Sequence, residues 1–264
     1  MLRARIITAL ALLAGFLVVL FLLPPPSAPI AFGALAGVMA WEWAGLLAID
    51  KAGRFLFAGF VMVSCLTAYN QPDFAYPKLW AVSAGFWLVL APIWLWRGWK
   101  ISSNDMAGYL AGWLMIVPTW AAMVALQDRN PWWLFAVMAL VWVADISAYF
   151  AGRAWGRHKL APAISPGKTW EGVLGAIVGV TVYGVAGALV AGMSPLGELR
   201  WWPLLVALTA VSIAGDLFES MIKRQAGVKD SSHLLPGHGG FFDRLDSQTS
   251  MLPLAALILL GWQW

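Results

Sequence analysis

Two stretches of charged residues near the C-terminus have the residue types and spacing of a site that handles phosphate groups. In the first, Asp216, Ser220, Lys223 and Arg224 fall on one side of a helix and present a carboxylate, a hydroxyl and two cations. An acid such as Asp216 is costly to bury at the end of an apolar segment unless it is paired or functional. The structural alternative is an i,i+4 pair between Glu219 and Lys223, with Asp216 satisfied by a neighbouring helix.

The second stretch follows directly and is rich in glycine. Gly237, Gly239 and Gly240 allow the backbone to approach a ligand closely, and their N–H groups suit phosphate oxygens. Asp243 and Asp246 share a face if a helix begins there. The structural alternative is a glycine-rich linker whose charges are solvated.

The carboxylates of the two stretches together predict a metal site. Mg²⁺ is normally held by a few carboxylate oxygens and completed by substrate phosphates, so Asp216, Asp243 and Asp246 are the expected ligands. Basic side chains clamp phosphate oxygens through charge-assisted hydrogen bonds. The candidates for this clamp are Lys223, Arg224, Lys229 and Arg244.

An acid further upstream also closes an apolar run. Asp145 shares a helical face with Tyr149 and Gly152. We expect Asp145 to contribute to the same site, and the structural alternative is a pair with Arg153 or Lys159.

The segment that follows Asp145 predicts the start of another helix. Ser165 and Pro166 have the types favoured at an N-cap and in a first turn. Lys168 and Thr169 would then lie at a helix N-terminus, a place that favours phosphate.

The composition places these residues in a membrane protein. Of 264 residues, 61% are hydrophobic and only 11% are charged, whereas a typical soluble domain is about one quarter charged. The mean hydropathy is +0.75. A soluble globular enzyme and a disordered protein are excluded, and the single Cys65 excludes a disulfide scaffold.

We predict an all-α, polytopic integral membrane protein with about nine transmembrane helices. Residues 1–264 form a single membrane domain, with an N-terminal helical part at 1–100 and a catalytic helical part at 101–264. A span needs about 20 apolar residues. The runs that qualify are 6–23, 28–48, 54–70, 77–96, 107–126, 131–150, 171–193, 203–220 and 249–264. The first run is expected to be retained rather than cleaved, with Pro24, Pro25 and Pro26 forming a turn after it.

The distribution of basic residues predicts the orientation. With a cytoplasmic N-terminus, the inside holds all of the Lys and Arg residues except Lys78, Arg129 and Arg200. Two longer cytoplasmic loops, near 151–170 and 221–248, hold eight of the seventeen basic residues. We attribute the net charge of +4 to this topology and not to nucleic-acid binding. Charges at one membrane face, away from the midplane, disfavour a transporter or a scaffold and predict a cytoplasmic active site.

Tryptophan pairs are expected at the outer ends of the spans, as an aromatic belt. They are Trp132/Trp133, Trp201/Trp202 and Trp262/Trp264.

Residues 220–246 resemble the signature of phosphatidate cytidylyltransferases, the CDP-diacylglycerol synthases. That signature runs Ser-x-apolar-Lys-Arg, then Lys-Asp, then Pro-x-His-Gly-Gly, then Asp-Arg-apolar-Asp. The positions that fill it here are Ser220, Lys223, Arg224, Lys229, Asp230, Pro236, His238, Gly239, Gly240, Asp243, Arg244 and Asp246.

The resemblance implies that CTP and phosphatidic acid give CDP-diacylglycerol and pyrophosphate, with Mg²⁺ and a second metal ion or K⁺. It also implies a homodimer in the bilayer of the cell inner membrane. The catalytic residues expected on this basis are Asp216, Lys223, Arg224, Asp243 and Asp246. The expected substrate-binding residues are Asp145, Lys168, Thr169, Ser220, Lys229, Asp230, His238, Gly239, Gly240 and Arg244.

The alternative is another CTP-using lipid enzyme, such as a polyprenol kinase or a cytidylyltransferase for a different lipid phosphate. Two further features have no assigned chemistry. Glu42 is either a supporting polar contact or a side chain that reaches the inner membrane surface, and Gly172, Gly175 and Gly179 form a stripe suited to close helix packing.

Overall fold

A computed structural model describes residues 2–24, 27–101, 106–192, 194 and 201–260, with side chains from residue 6 onward. The N-terminal helices are α1 (Leu2–Phe21), α2 (Ala28–Leu46), α3 (Lys51–Tyr69), α4 (Pro72–Gly85), a π-helical segment (Phe86–Leu90) and α5 (Ala91–Arg97). They are followed by α6 (Met106–Arg129), α7 (Pro131–Trp155), β1 (Lys159–Ala161), β2 (Ser165–Thr169), α8 (Trp170–Val190), α9 (Trp202–Gln225) and α10 (Phe242–Leu260).

Seven of these helical rods are long and apolar enough to cross a membrane. They are α2, α3, the continuous rod from α4 to α5, α6, α7, α8 and α9. The chain is therefore a multi-pass membrane protein built from helices. The described apolar part of α1, Ile6–Phe21, is shorter.

Each of the nine predicted runs contains a helix, but the last one begins earlier than expected. α10 starts at Phe242 rather than at 249, so its first turns carry Asp243, Arg244 and Asp246. Some residues used in the sequence predictions lie outside the side chains that the structure describes. They are Arg3, Arg5, Pro25, Pro26, Arg200, Trp262 and Trp264. Trp132, Trp133, Trp201 and Trp202 are exposed, as a belt requires.

The architecture is all-α as predicted, apart from a small hairpin in the loop after α7, which the sequence analysis did not predict. Lys159–Ala161 and Ser165–Thr169 form a small antiparallel hairpin, in which Lys159 pairs with Thr169 and Ala161 with Ser165. The N-cap of α8 is consequently Thr169, whose hydroxyl accepts from the Gly172 N–H at 3.1 Å, and not Ser165.

The centre of the bundle is α10, which packs against α9, α6, α4, α7 and α2. Indole N–H groups join the helices around it. Trp87 of the π-helical segment donates to the Thr249 carbonyl at 3.0 Å, and Trp43 of α2 donates to the Gly108 carbonyl at 2.9 Å. Buried donors of this kind require fixed acceptors, so the helices at the site end are held in a defined arrangement.

The glycine stripe of α8 packs on α7, as its spacing predicts. A Cβ added to Gly175 would collide with the Ala151 side chain and lie 3.0 Å from the Ser147 carbonyl oxygen. A Cβ on Gly179 would collide with the Ser147 side chain. Small residues therefore allow α7 and α8 to approach closely at the site end.

Gly175→Ala is expected to destabilise the protein by about 1–3 kcal/mol, because overpacking separates α7 from α8. Cys65 is a single buried thiol, so the temperature at which it becomes reactive toward a fluorescent maleimide reports unfolding in detergent. Gly187→Ala is the matched control, since a Cβ there meets no atom within 4 Å. Equal unfolding temperatures for the two variants would contradict the close packing.

Candidate active site

The predicted site residues gather at one end of the bundle. There α2, α7 and α9 end, the β-hairpin folds over them, and α8 and α10 begin. The Thr8 hydroxyl of α1 donates to the Pro236 carbonyl at 3.1 Å, so the N-terminal part of α1 lies at this end too.

Three carboxylates from different helices lie close enough to interact electrostatically; we call Asp145, Asp216 and Asp246 the carboxylate cluster. Lys168 from β2 places its Nζ 2.6 Å from Asp216 Oδ2, and the Ser220 hydroxyl donates to Asp216 Oδ1 at 3.2 Å. Burial, and then the neighbouring Asp216 and Asp145 carboxylates, raise the pKa of Asp246, which lies outside the seven apolar helices. Lys168 is paired directly with Asp216, and the positive charges of Lys223 and Arg244 also act on Asp246 and Asp145.

The donor set of the carboxylate cluster fits Mg²⁺ only in part. Among the residues that the structure describes, no group of three or more His, Cys, Asp or Glu side chains is arranged to hold a metal ion. Mg²⁺, however, is usually bound through one or two carboxylates, several waters and substrate phosphates. Asp216 and Asp246 meet that smaller requirement.

Asp243 occupies a different place from the carboxylate cluster. Its Oδ1 accepts from Lys223 Nζ at 2.7 Å, and its Oδ2 accepts from the Ser231 hydroxyl at 2.8 Å and from the Gly240 N–H at 2.7 Å. Burial alone would raise the pKa of Asp243, but the hydrogen bonds from Lys223 and Gly240 outweigh it and lower the pKa below its ordinary value. Asp243 is thus an ionised carboxylate surrounded by protein donors.

Lys223 is held between two acids. Its Nζ pairs with Glu219 on the same helix and with Asp243 of α10, and the side chain is only 12% exposed. The structural alternative considered for Glu219 and Lys223 is therefore present, extended by Asp243. The charge of Lys223 is already balanced without a substrate.

The glycine-rich turn is shaped by its packing. Gly237 and Gly239 have φ values of 74° and 82°, which L side chains rarely adopt. A Cβ on Gly239 would lie 2.6 Å from Asp243 Oδ2, and one on Gly240 would collide with the Ser231 hydroxyl. His238, between these glycines, has a buried Nδ1 without a hydrogen-bond partner in the part of the chain that the structure describes.

Exposure differs among the remaining charged residues of this end. Arg224, Lys229 and Arg244 are exposed, and Asp230 and Lys168 are half-buried. Arg224 donates weakly to two backbone carbonyls, those of Ile164 and Val228, each at 3.4 Å. Arg224, Lys229 and Arg244 are therefore available to an anionic ligand, whereas Lys168 is already paired with Asp216.

Thr169 and Asp145 differ in burial and in their hydrogen-bond partners. Thr169 is buried and its hydroxyl caps α8. Asp145 is exposed, and Arg153 donates to the Tyr149 hydroxyl at 2.8 Å instead of pairing with Asp145.

Two features of this end were not assigned from the sequence. One is a cavity of about 430 Å³ lined by Arg153, Ala154, Trp155, Gly156, Arg157, His158 and Glu171. In the sequence, this cavity is indicated only by Arg153 and Arg157, which are four residues apart at the end of α7. The other is Glu42, which is completely buried and contacts the glycine-rich turn.

The chain is similar to known proteins along its whole length. A sequence model described as the cytidylyltransferase family matches residues 3–261. The chain is 41% identical to the phosphatidate cytidylyltransferase of Pseudomonas aeruginosa, covering 100% of this chain and 99% of that protein. It is 35% identical to the enzyme of the same name from Haemophilus influenzae, with 96% of each chain covered. The corresponding Brucella abortus protein is 34% identical, over 86% of this chain and 74% of that protein.

Lys223→Met is expected to destabilise the fold by about 3–5 kcal/mol, because it leaves Glu219 and Asp243 buried without their cation. The unfolding temperature, read from Cys65 exposure, measures the effect. Lys229→Met removes an exposed lysine and serves as the control. If both variants unfolded at the wild-type temperature, Lys223 would not be the internal counter-ion described here.

Proposed function

We propose, because the chain belongs to the cytidylyltransferase family, that it transfers the cytidylyl group of CTP to phosphatidic acid, giving CDP-diacylglycerol and pyrophosphate. The observation that carries this proposal is the 41% identity to a phosphatidate cytidylyltransferase over the full length of both chains. The arrangement of acids and open cations at one end of a membrane bundle supports it.

The reaction joins two anions. A phosphate oxygen of phosphatidic acid attacks the α-phosphorus of CTP, a new P–O bond forms, and the bond to the bridging oxygen breaks to release pyrophosphate. A phosphomonoester with a second pKa of about 6 is largely dianionic at neutral pH, so the attack needs no obligatory protein base. His238 is accordingly proposed to contact phosphate or shape the turn.

The cations of the site supply the charge that brings the two substrates together. Lys168, which is paired with Asp216, and the exposed Arg224, Lys229 and Arg244 are proposed to bind the lipid phosphate and the triphosphate through charge-assisted hydrogen bonds. Lys223 is proposed to act indirectly, by fixing Asp243 and with it the glycine-rich turn.

Mg²⁺ is the proposed cofactor, with Asp216 and Asp246 as its protein ligands and Asp145 beside them. When bound, Mg²⁺ neutralises charge on the triphosphate and on the leaving pyrophosphate. The contacts of Asp243 with Lys223, Ser231 and Gly240 favour a supporting role for that carboxylate. A second ion, divalent or K⁺, belongs to the same proposal.

The acyl chains of the lipid substrate and product are proposed to stay in the bilayer while the headgroup meets the nucleotide at the end of the bundle. We propose nine membrane spans, a cytoplasmic N-terminus and active site, the cell inner membrane as location, and a homodimer. The contact between Thr8 and Pro236 supports a common side for the N-terminus and the site.

Asp246→Asn is expected to lower turnover at least about a hundredfold, because the charge that holds the metal contributes several kcal/mol to the transition state. Asp243→Asn is expected to abolish turnover by releasing Lys223 and the turn. Labelled CTP, phosphatidic acid and Mg²⁺ in detergent micelles, with chromatography of the lipid product, measure both.

Asp73→Asn, an exposed acid in the first turn of α4, is the matched control and should behave as wild type. Chelation should stop CDP-lipid formation in all active proteins. Retained turnover in Asp246→Asn would remove Asp246 from the metal role, and a folded wild-type protein that forms no CDP-lipid would contradict the proposed reaction.

Single cysteines test the orientation in a Cys65→Ser background. Lys229→Cys lies at the site end and Asp73→Cys at the opposite end of the bundle. In intact spheroplasts a membrane-impermeant maleimide should label only the cysteine at 73, and permeabilisation should add labelling at 229. The reverse pattern would place the site outside.

A further inference from the structure

Glu42 is a carboxylate in an unusual place. It lies in the apolar helix α2 and has 0% of its surface exposed. Within the described residues, no ion pair joins Glu42 to a Lys, Arg or His side chain. An acid in such surroundings is strongly destabilising unless hydrogen-bond donors satisfy it, so its partners explain why it is tolerated.

Glu42 accepts three hydrogen bonds from the segment that leads into α10. Its Oε1 accepts from the Ser232 hydroxyl at 2.5 Å and from the Phe241 N–H at 3.1 Å, and its Oε2 accepts from the Phe242 N–H at 2.7 Å. Since α10 begins at Phe242, Glu42 satisfies backbone N–H groups at the start of one helix from a side chain of another. A negative charge at this position also interacts favourably with the helix dipole.

Glu42 and Asp243 hold the same segment from two sides. The Gly240 N–H goes to Asp243, and the next two N–H groups, of Phe241 and Phe242, go to Glu42. A Cβ on Gly240 would collide with Glu42 Oε1, so the turn rests directly on this carboxylate. Two ionisable side chains thereby fix the end of the turn that leads into α10.

The direction of α10 determines where Asp246 points. Asp246 lies one turn after Phe242, and side-chain directions on a helix follow from its backbone. A shift at the start of α10 therefore moves Asp246 relative to Asp216 of α9 and Asp145 of α7.

We propose that Glu42 is a positioning residue, which caps α10 from α2 and thereby sets Asp246 against the rest of the carboxylate cluster. The kinetic part of this inference rests on the proposed cytidylyl transfer, whereas the structural part does not.

Glu42→Gln tests the proposal, because it keeps the length of the side chain and replaces one acceptor oxygen by a donor. We expect faster hydrogen–deuterium exchange in peptides that cover residues 238–246. We also expect kcat, measured per folded protein, to fall about 10- to 100-fold, as small displacements of catalytic groups do. Ser232→Ala removes one of the three hydrogen bonds and should change both quantities in the same direction by less.

Gln127→Met is the matched control. Gln127 is also a buried polar side chain that joins helices, since its Nε2 donates to the Val19 and Leu20 carbonyls, but it lies in the last turn of α6, at the opposite end from the site. Its loss should lower the unfolding temperature and leave kcat and the exchange of residues 238–246 unchanged.

The proposal is overturned if Glu42→Gln exchanges like wild type over 238–246 and keeps its kcat per folded protein. It is also overturned if Gln127→Met gives the same kinetic loss, since Glu42 would then contribute only general stability. If Glu42→Gln does not fold, unchanged exchange in Ser232→Ala overturns the proposal in its place. A wild-type protein without CDP-lipid synthesis would remove the proposed reaction, and the exchange result would still decide whether Glu42 holds α10.

Discussion

The start of α10 depends on two buried carboxylates that must remain hydrogen-bonded. Glu42 and Asp243 together accept three successive backbone N–H groups, those of residues 240–242, and the hydroxyls of Ser231 and Ser232. Leaving either acid unsatisfied in the bundle costs several kcal/mol. The glycine-rich turn is therefore fixed by acids from two helices. The direction of α10 follows from this arrangement, and with it the position of Asp246 in the carboxylate cluster.

α10 also carries a run of buried polar residues, which the surrounding helices make possible. Ser247, Gln248, Thr249 and Ser250 are buried and directly follow Asp246. Two of these side chains join helices: Gln248 donates to the Met138 carbonyl and Ser250 to the Val211 carbonyl. A helix that faced lipid could not carry such a run, so the surrounding apolar helices are what allow α10 to bring charged residues to the membrane surface.

Hydropathy predicted the positions of the helices because bilayer thickness imposes a length on apolar runs. Hydropathy placed the start of α10 too late, because the first turns of this helix carry polar and charged residues. Such residues are tolerated where protein surrounds the helix, whereas lipid would exclude them. The hairpin at 159–169 was missed because strands of three and five residues give no periodic signal. The signature singled out residues of 220–246 that the structure brings to one end of the bundle. It could not predict that Lys223 pairs with Asp243, or that Glu42 contacts a turn 200 residues away, because such partners depend on tertiary packing.

Charges at the site end divide into two sets by their surroundings. Glu42, Lys223 and Asp243 are largely buried and held by protein partners, and Glu219 is buried beside Lys223, so these contacts are in place before any substrate arrives. Lys168, Arg224, Lys229, Arg244 and the carboxylate cluster are more open. Buried charges hold a geometry well, because breaking one partnership is costly, whereas open charges can exchange water for phosphate at little cost. Joining a hydrated nucleotide to a lipid headgroup requires both properties. The ends of membrane helices provide them together, with lipid and protein on one side and water on the other.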